Sequence, residues 1–381
     1  MAAITAEWWE SVCIELSRNP VGATKTITEF RDTEQALDAS KYFLQPTTGC
    51  SPVAQFQAAL VLQYVCLKHW NKLSAADTQE LRGTLWTLLH SSIAAGTMPS
   101  FALNKIMQVY ALLWKRGWTD SDHNCKQQLF QQIRAFMQKE EYMKAGATLL
   151  RIVVEEFCSR SSAEIGLPME FHRLAHNAFH QSGLDEGLEI SAQFLSVSFS
   201  ALSALTDSPS AVIAAATTAS AACKLVVEVL NWDFGSNEKF SFGLNKETER
   251  ESRRSTDLLA LPRKWFSTLM TERFIGDVFN AYQQLRAIYI HFTFSKAVND
   301  GFVRSIESET LVTLEGSMSE LRLLITALSS ITGNISVTRG SFYTPLSVTF
   351  ILQSIIMHCC LYVISVILII SLIFYLVVNL L

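Results

Sequence analysis

The chain of 381 residues is short of charge, of proline and of glycine. Asp, Glu, Lys and Arg make up 17% of it, against a usual value of about 25%. Apolar residues make up 49%, so disorder is excluded as the main state. Basic excess is also missing. Lys and Arg number 31 and Asp and Glu 35, a net charge of -4, which argues against a general nucleic-acid binder. The N-terminus has no basic segment and carries Glu7 and Glu10, so no secretory signal is expected. None of the eight cysteines forms a CxxC pair or a zinc spacing, which predicts buried, reduced thiols in a cytosolic or nuclear chain. No GxGxxG, P-loop or nucleophile elbow occurs. The expectation is a protein that is no enzyme and has no cofactor and no metal site.

What the chain does have is helical spacing. Apolar residues recur at three and four from the N-terminus to about residue 338, with no clear alternating strand. The stripes are Phe56, Leu60, Tyr64 and Leu67; Leu81, Leu85, Leu88 and Leu89; Leu103, Ile106, Met107, Tyr110, Leu113 and Trp114. Leu129, Ile133, Phe136 and Met137 follow, then Leu149, Ile152, Val153 and Phe157. Ser51-Pro52 puts proline at a first helical position, and Ser74 with Asp77 resembles a capping box. Gly96 to Pro99 is a break, and Asp207-Ser208-Pro209 caps a helix that runs toward Trp232. Lys115-Arg116-Gly117 places cations and a glycine where a helix dipole and a left-handed cap prefer them.

Alternate helices start about 45 residues apart, the period of HEAT and armadillo hairpins. The fold predicted is all-α: a HEAT/armadillo-type superhelix of helical hairpins over residues 1–338, with a plain helical bundle as the alternative. The eight tryptophans fall at helical spacing and read as core packing, with one or two available as exposed anchors. The Ser- and Ala-rich stretch 191–222 reads as close helix packing, because Leu195, Phe199, Leu202 and Leu205 continue the stripe. The mixed-charge stretch Lys246–Asp257 reads as an exposed loop or a first helical turn. His172, His176 and His180 share one helix face, which could hold a metal. Without an HExxH pattern or a completing ligand, that face reads as polar surface. Glu140-Glu141 and Glu155-Glu156 likewise read as solvated.

The C-terminal segment is different in kind. No charged residue occurs from Gly340 to Leu381, and sixteen residues between Ile355 and Val378 are Ile, Leu, Val or Phe. A helix of that length spans about 36 Å, enough to cross a hydrocarbon core of about 30 Å. Each such residue favours insertion by roughly 0.3–0.6 kcal/mol. The segment 355–378 is therefore a candidate transmembrane helix, a tail anchor, with 339–354 as its linker.

Several segments resemble the N-terminal third of the exportin-4 family, within the importin-β (karyopherin) superfamily. The clearest is the stretch that carries Ile165, Gly166, Leu167, Met169, Glu170, Phe171 and His172. Leu230, Trp232 and Phe234 match a Leu-x-Trp-x-Phe helix end, Phe56 to Ala59 a Phe-Gln-Ala-Ala start, and Lys115 to Gly117 a Lys-Arg-Gly end. Trp265 and 274–286 match more loosely. The segments keep the family's order over about residues 5–290. The resemblance implies a HEAT superhelix that binds Ran-GTP and protein cargo, the hypusine-containing translation factor among the cargo class, passes nucleoporins, and shuttles between nucleus and cytoplasm. It names no Ran-contact residue here. The length and the apolar tail depart from the family, which points to a truncated or misassembled product. The alternative is a tail-anchored helical adaptor on the cytosolic face of a membrane.

Overall fold

The computed structural model describes residues 4–96, 98–158, 167–203, 208–232, 261–298 and 304–329. The expectations for Ile165, Gly166, Phe234, Lys246–Asp257, the linker 339–354 and the segment from Ile355 to Val378 lie outside these residues.

Fourteen α-helices and no strand occur among the described residues. They are α1 (Ala6–Arg18), α2 (Pro20–Arg31), α3 (Ala36–Phe43), α4 (Pro52–Lys68), α5 (Ala75–Ala95), α6 (Ser100–Gly117) and α7 (His123–Ala135). Then follow α8 (Glu140–Cys158), α9 (Met169–Ser182), α10 (Leu184–Ser203), α11 (Pro209–Leu230), α12 (Phe266–Leu269), α13 (Glu272–Val298) and α14 (Arg304–Ser329). Pairs α1/α2, α3/α4, α5/α6, α7/α8, α10/α11 and α13/α14 pack as hairpins. The second helix of each pair packs on the second helix of the next, in the row α2, α4, α6, α8, α11, α14. Helices α4, α6 and α8 start at residues 52, 100 and 140, close to the repeat expected of HEAT-type hairpins. The chain is an all-α solenoid of hairpins. Helix α9 breaks the alternation, since it lies between hairpins and belongs to neither row.

Local chemistry explains where these helices begin and stop. The Ser74 hydroxyl accepts the Asp77 N–H at 3.1 Å and the Asp77 carboxylate accepts the Ser74 N–H at 2.8 Å, a complete capping box on α5. Thr5, Asn19, Ser51 and Asp122 cap α1, α2, α4 and α7 in the same way with one bond each. Ser208 stands at the start of α11 without a side-chain capping bond, and Pro209 follows it at the first helical position.

Two sequence expectations are corrected here. The left-handed cap belongs to Gly96, at φ +61°, and not to Gly117, which closes α6 in helical conformation. A Cβ on Gly117 would meet Nη2 of Arg82, whose side chain crosses the helix end and would have to shift. The stripe Phe56, Leu60, Tyr64 is only half-buried; α4 buries Ala58, Leu62, Val65 and Cys66 instead. Neighbours α1, α2, α3 and α6 surround α4, so it is apolar on several faces and a single stripe cannot be read from it.

One core joins all the hairpins, from Trp9 to Leu328. Trp9 stacks on Phe43 at 5.2 Å and donates its indole N–H to the Ala54 carbonyl at 2.9 Å, which locks the first hairpin to α4. Gly146 of α8 leaves room for the Phe194 ring of α10. A Cβ there would lie 2.7 Å from Cβ of Phe136 and 2.8 Å from Cζ of Phe194. Helix α11, rich in Ala, is the one described helix long and apolar enough to cross a membrane. Half of its apolar window is buried, against α8, α10 and α14, as in a core helix. Ser317 of α14 donates to the Ala216 carbonyl at 2.9 Å inside that contact.

Candidate functional site

Three of the segments singled out in the sequence, around Arg116, His172 and Trp232, meet at one edge, where α6, α8 and α11 end. Leu167 is buried just before α9, and Met169 opens that helix. Glu170 is exposed and pairs with Arg173 at 2.6 Å. Phe171 is half-buried and takes the Arg116 guanidinium on its ring at 5.0 Å from the centroid. Arg116 also lies 5.1 Å from the Trp70 ring, so the cation contacts two aromatics, one just after α4 and one on α9. Leu230 and Trp232 are buried at the end of α11. The Lys-Arg-Gly and Phe-His segments are therefore spatial neighbours although more than fifty residues separate them.

The three histidines do not form a polar surface, contrary to the sequence reading. His172 is 4% exposed. His176 stacks on Trp232 at 4.3 Å with 14° between planes. Among the described residues no group of three or more His, Cys, Asp or Glu is arranged to hold a metal ion. The correction has a steric origin: α9 lies against the ends of α6, α8 and α11, so a face that would be polar on a free helix is packed.

Glu156 is corrected in the same way. Its side chain is 13% exposed and pairs at 3.2 Å with Lys115, which is 0% exposed. The Lys115 ammonium also donates to the Glu156 carbonyl, at the end of α8. A cation there faces the negative end of the α8 dipole. Burial drives the Lys115 ammonium below its ordinary range, and Glu156 opposes that shift without cancelling it. Burial also lowers Arg116. His172 is pushed down to about 4, first by burial and then by the Lys115 and Arg116 charges. Among the described residues neither His172 nitrogen has a hydrogen-bond partner. Burial pushes the Cys66 thiol, beside Arg116, up to about 12, which leaves it protonated and unreactive.

Sequence reasoning missed Arg82 and the burial of Lys115, and read Trp118 only as general core packing. Arg82 lies 4.3 Å over the Trp114 ring and donates to the Leu113 carbonyl at 3.2 Å. Trp118 is fully buried, touches Phe157 and Phe179 at 5.2 Å each, and donates to the Ser182 hydroxyl at 3.1 Å. No pattern within one helix reveals a lysine that a second helix will cover. The edge holds cations and aromatic rings in place, and its chemistry is packing.

Two relatives from Xenopus laevis match over 176 residues. Exportin-7-A is 26% identical and Exportin-7-B 25%, each over 45% of this chain and 16% of its own length. The relationship is exportin-like. The relatives are exportin-7 proteins, so the finer likeness to exportin-4 is not what these matches support. The chain spans about a sixth of the length of the relatives it matches. No family model matches it.

Proposed function

We propose that the chain acts as a nuclear transport receptor of the exportin type, binding Ran-GTP and protein cargo for export. The observation that carries this is the likeness to exportin-7 over 176 residues, on a chain folded as a solenoid of helical hairpins. The ordered exportin-4-like segments from Phe56 to Trp232 add to it. In this reading the array works by coupling. Ran-GTP and cargo favour the same curvature, so each raises the affinity for the other by the same factor. Cargo is released when GTP is hydrolysed, and the receptor shuttles between nucleus and cytoplasm past nucleoporins. A hypusine-containing translation factor is the cargo class to try first. The test is binding of the purified full chain to Ran loaded with GTP or with GDP, with and without cargo. GTP-selective binding that cargo strengthens is expected. Equal binding to both forms, or to neither, would overturn the reading.

A second reading is favoured by the uncharged run from Gly340 to Leu381. It makes the chain a membrane-tethered helical adaptor. Retention in the membrane pellet after carbonate extraction supports it, and full release into the supernatant removes it.

A further inference from the structure

Helix α9 is the one described helix of more than a single turn outside the hairpin pairing. Its second half is well anchored across the helix ends. Phe179 stacks on Phe157 at 4.2 Å, His176 stacks on Trp232, and Ser182 accepts the Trp118 indole N–H. Its first half is seated differently. It buries His172 to 4% exposure, and neither ring nitrogen has a hydrogen-bond partner among the described residues. A buried polar group left unpaired is rare and costs free energy, so it calls for an explanation.

The charges around this ring explain which state it can hold. From α6 it faces Lys115 and Arg116. From α8, Glu156 and Cys158 lie beside Lys115, and the Glu156 carboxylate is engaged with that ammonium. From α4, Cys66 lies beside Arg116. Asp185 of α10 is at the far end of α9, beside His180. On α9 itself, Glu170 and Arg173 pair with each other in solvent. A protonated His172 would be a third cation beside the buried Lys115 and the half-buried Arg116, with the Glu156 carboxylate already engaged by Lys115. That state is strongly disfavoured while α9 is docked.

We propose that α9 is an acid-released strap: protonation of His172 undocks it from the ends of α6, α8 and α11, while the hairpins behind stay folded. Release uncovers Trp118, Phe157 and Trp232 together with the Lys115 and Arg116 cations. Gly183, the single residue between α9 and α10, is the pivot.

The sign follows from linkage. The docked ring titrates near 4 and an undocked ring near the ordinary value of 6.5. Docking is therefore fully stable above about pH 6.5 and weakens as pH falls toward 4. Between pH 7.5 and 5.0 the opening constant of α9 rises about 25-fold.

Hydrogen exchange of the full chain, read by mass spectrometry at both pH values and corrected for intrinsic rates, tests this. Peptides from α9 should open about 25-fold more readily at pH 5.0, with α8 and α11 unchanged. His172→Phe should flatten the α9 profile; His172→Gln, neutral and polar, should do the same if the phenylalanine variant folds poorly. The proposal is overturned by a flat α9 profile in the unaltered chain. It is equally overturned by an unchanged rise in both variants, or by α8 and α11 opening in step with α9.

Discussion

Glycine to alanine inside a helix normally stabilises, because alanine loses less backbone entropy and has the better helix propensity. The gain is about 0.5–1 kcal/mol. Gly83 of α5 and Gly146 of α8 are both helix-interior glycines, yet their surroundings predict opposite signs. A Cβ on Gly83 meets nothing within 4 Å. Gly83→Ala should therefore realise the full gain. A Cβ on Gly146 would stand 2.7 Å from Cβ of Phe136, an atom tied to the backbone, and 2.8 Å from Cζ of Phe194, a ring that is 1% exposed. Neither neighbour can move freely in a close-packed interior, so overpacking costs about 1–3 kcal/mol. Subtracting the propensity gain from the middle of that range leaves Gly146→Ala about 1 kcal/mol less stable than the original chain. The assay is urea unfolding followed by circular dichroism, with the midpoint and slope compared among the three proteins. Gly83→Ala should raise the midpoint and Gly146→Ala should lower it. A Gly146→Ala midpoint at or above that of the unaltered chain would refute the close approach of α8 to α10.

Trp118→Ala removes a fully buried indole that joins α6, α8 and α9, and should cost about 3–5 kcal/mol in urea unfolding. Ser74→Ala deletes the capping box of α5 and should cost about 1 kcal/mol; a midpoint unchanged from the original chain would count against that cap. For Asp185, burial pushes the carboxyl up, but the Lys264 and Trp265 donors outweigh it and hold the group below its ordinary value. A lowered folded-state value gives stability above the unfolded value that is lost as pH falls through the folded one. Asp185→Asn should thus lower the melting temperature at pH 7, and the difference from the original chain should shrink below about pH 4.

The helical class and the hairpin period were legible because they follow from local spacing. Leu81, Leu85, Leu88 and Leu89 are all buried as the stripe implies, and so are Leu129, Ile133 and Phe136. The Ser74 cap was legible for the same reason, since its partner is three residues away. Features that depend on a second element were not. Nothing next to His172 in the chain says that Lys115 and Arg116 of α6 will face it, and nothing near Glu156 says that a buried Lys115 lies beyond it. The role of Gly117 was misread because a glycine that gives way to a crossing arginine looks, in sequence, like one that caps a helix.

The segments that carry the exportin resemblance are also the ones that hold neighbouring hairpins together. Phe56 packs on Phe101 at 5.8 Å, Ala58 and Ala59 are fully buried, Arg116 contacts Trp70 and Phe171, and Trp232 receives His176. Substituting these residues perturbs folding first, so loss of partner binding in such variants would not locate a binding face. Partner contacts have to be sought among side chains that the packing leaves to solvent. Val21 and Val53, at 82% and 50% exposure, stand near the starts of α2 and α4, two successive helices of one row. Polar replacement there should leave the unfolding midpoint within about 0.5 kcal/mol of the original. A change in Ran-GTP or cargo affinity at constant stability would then assign those positions to recognition, and unchanged affinity would remove that face from consideration.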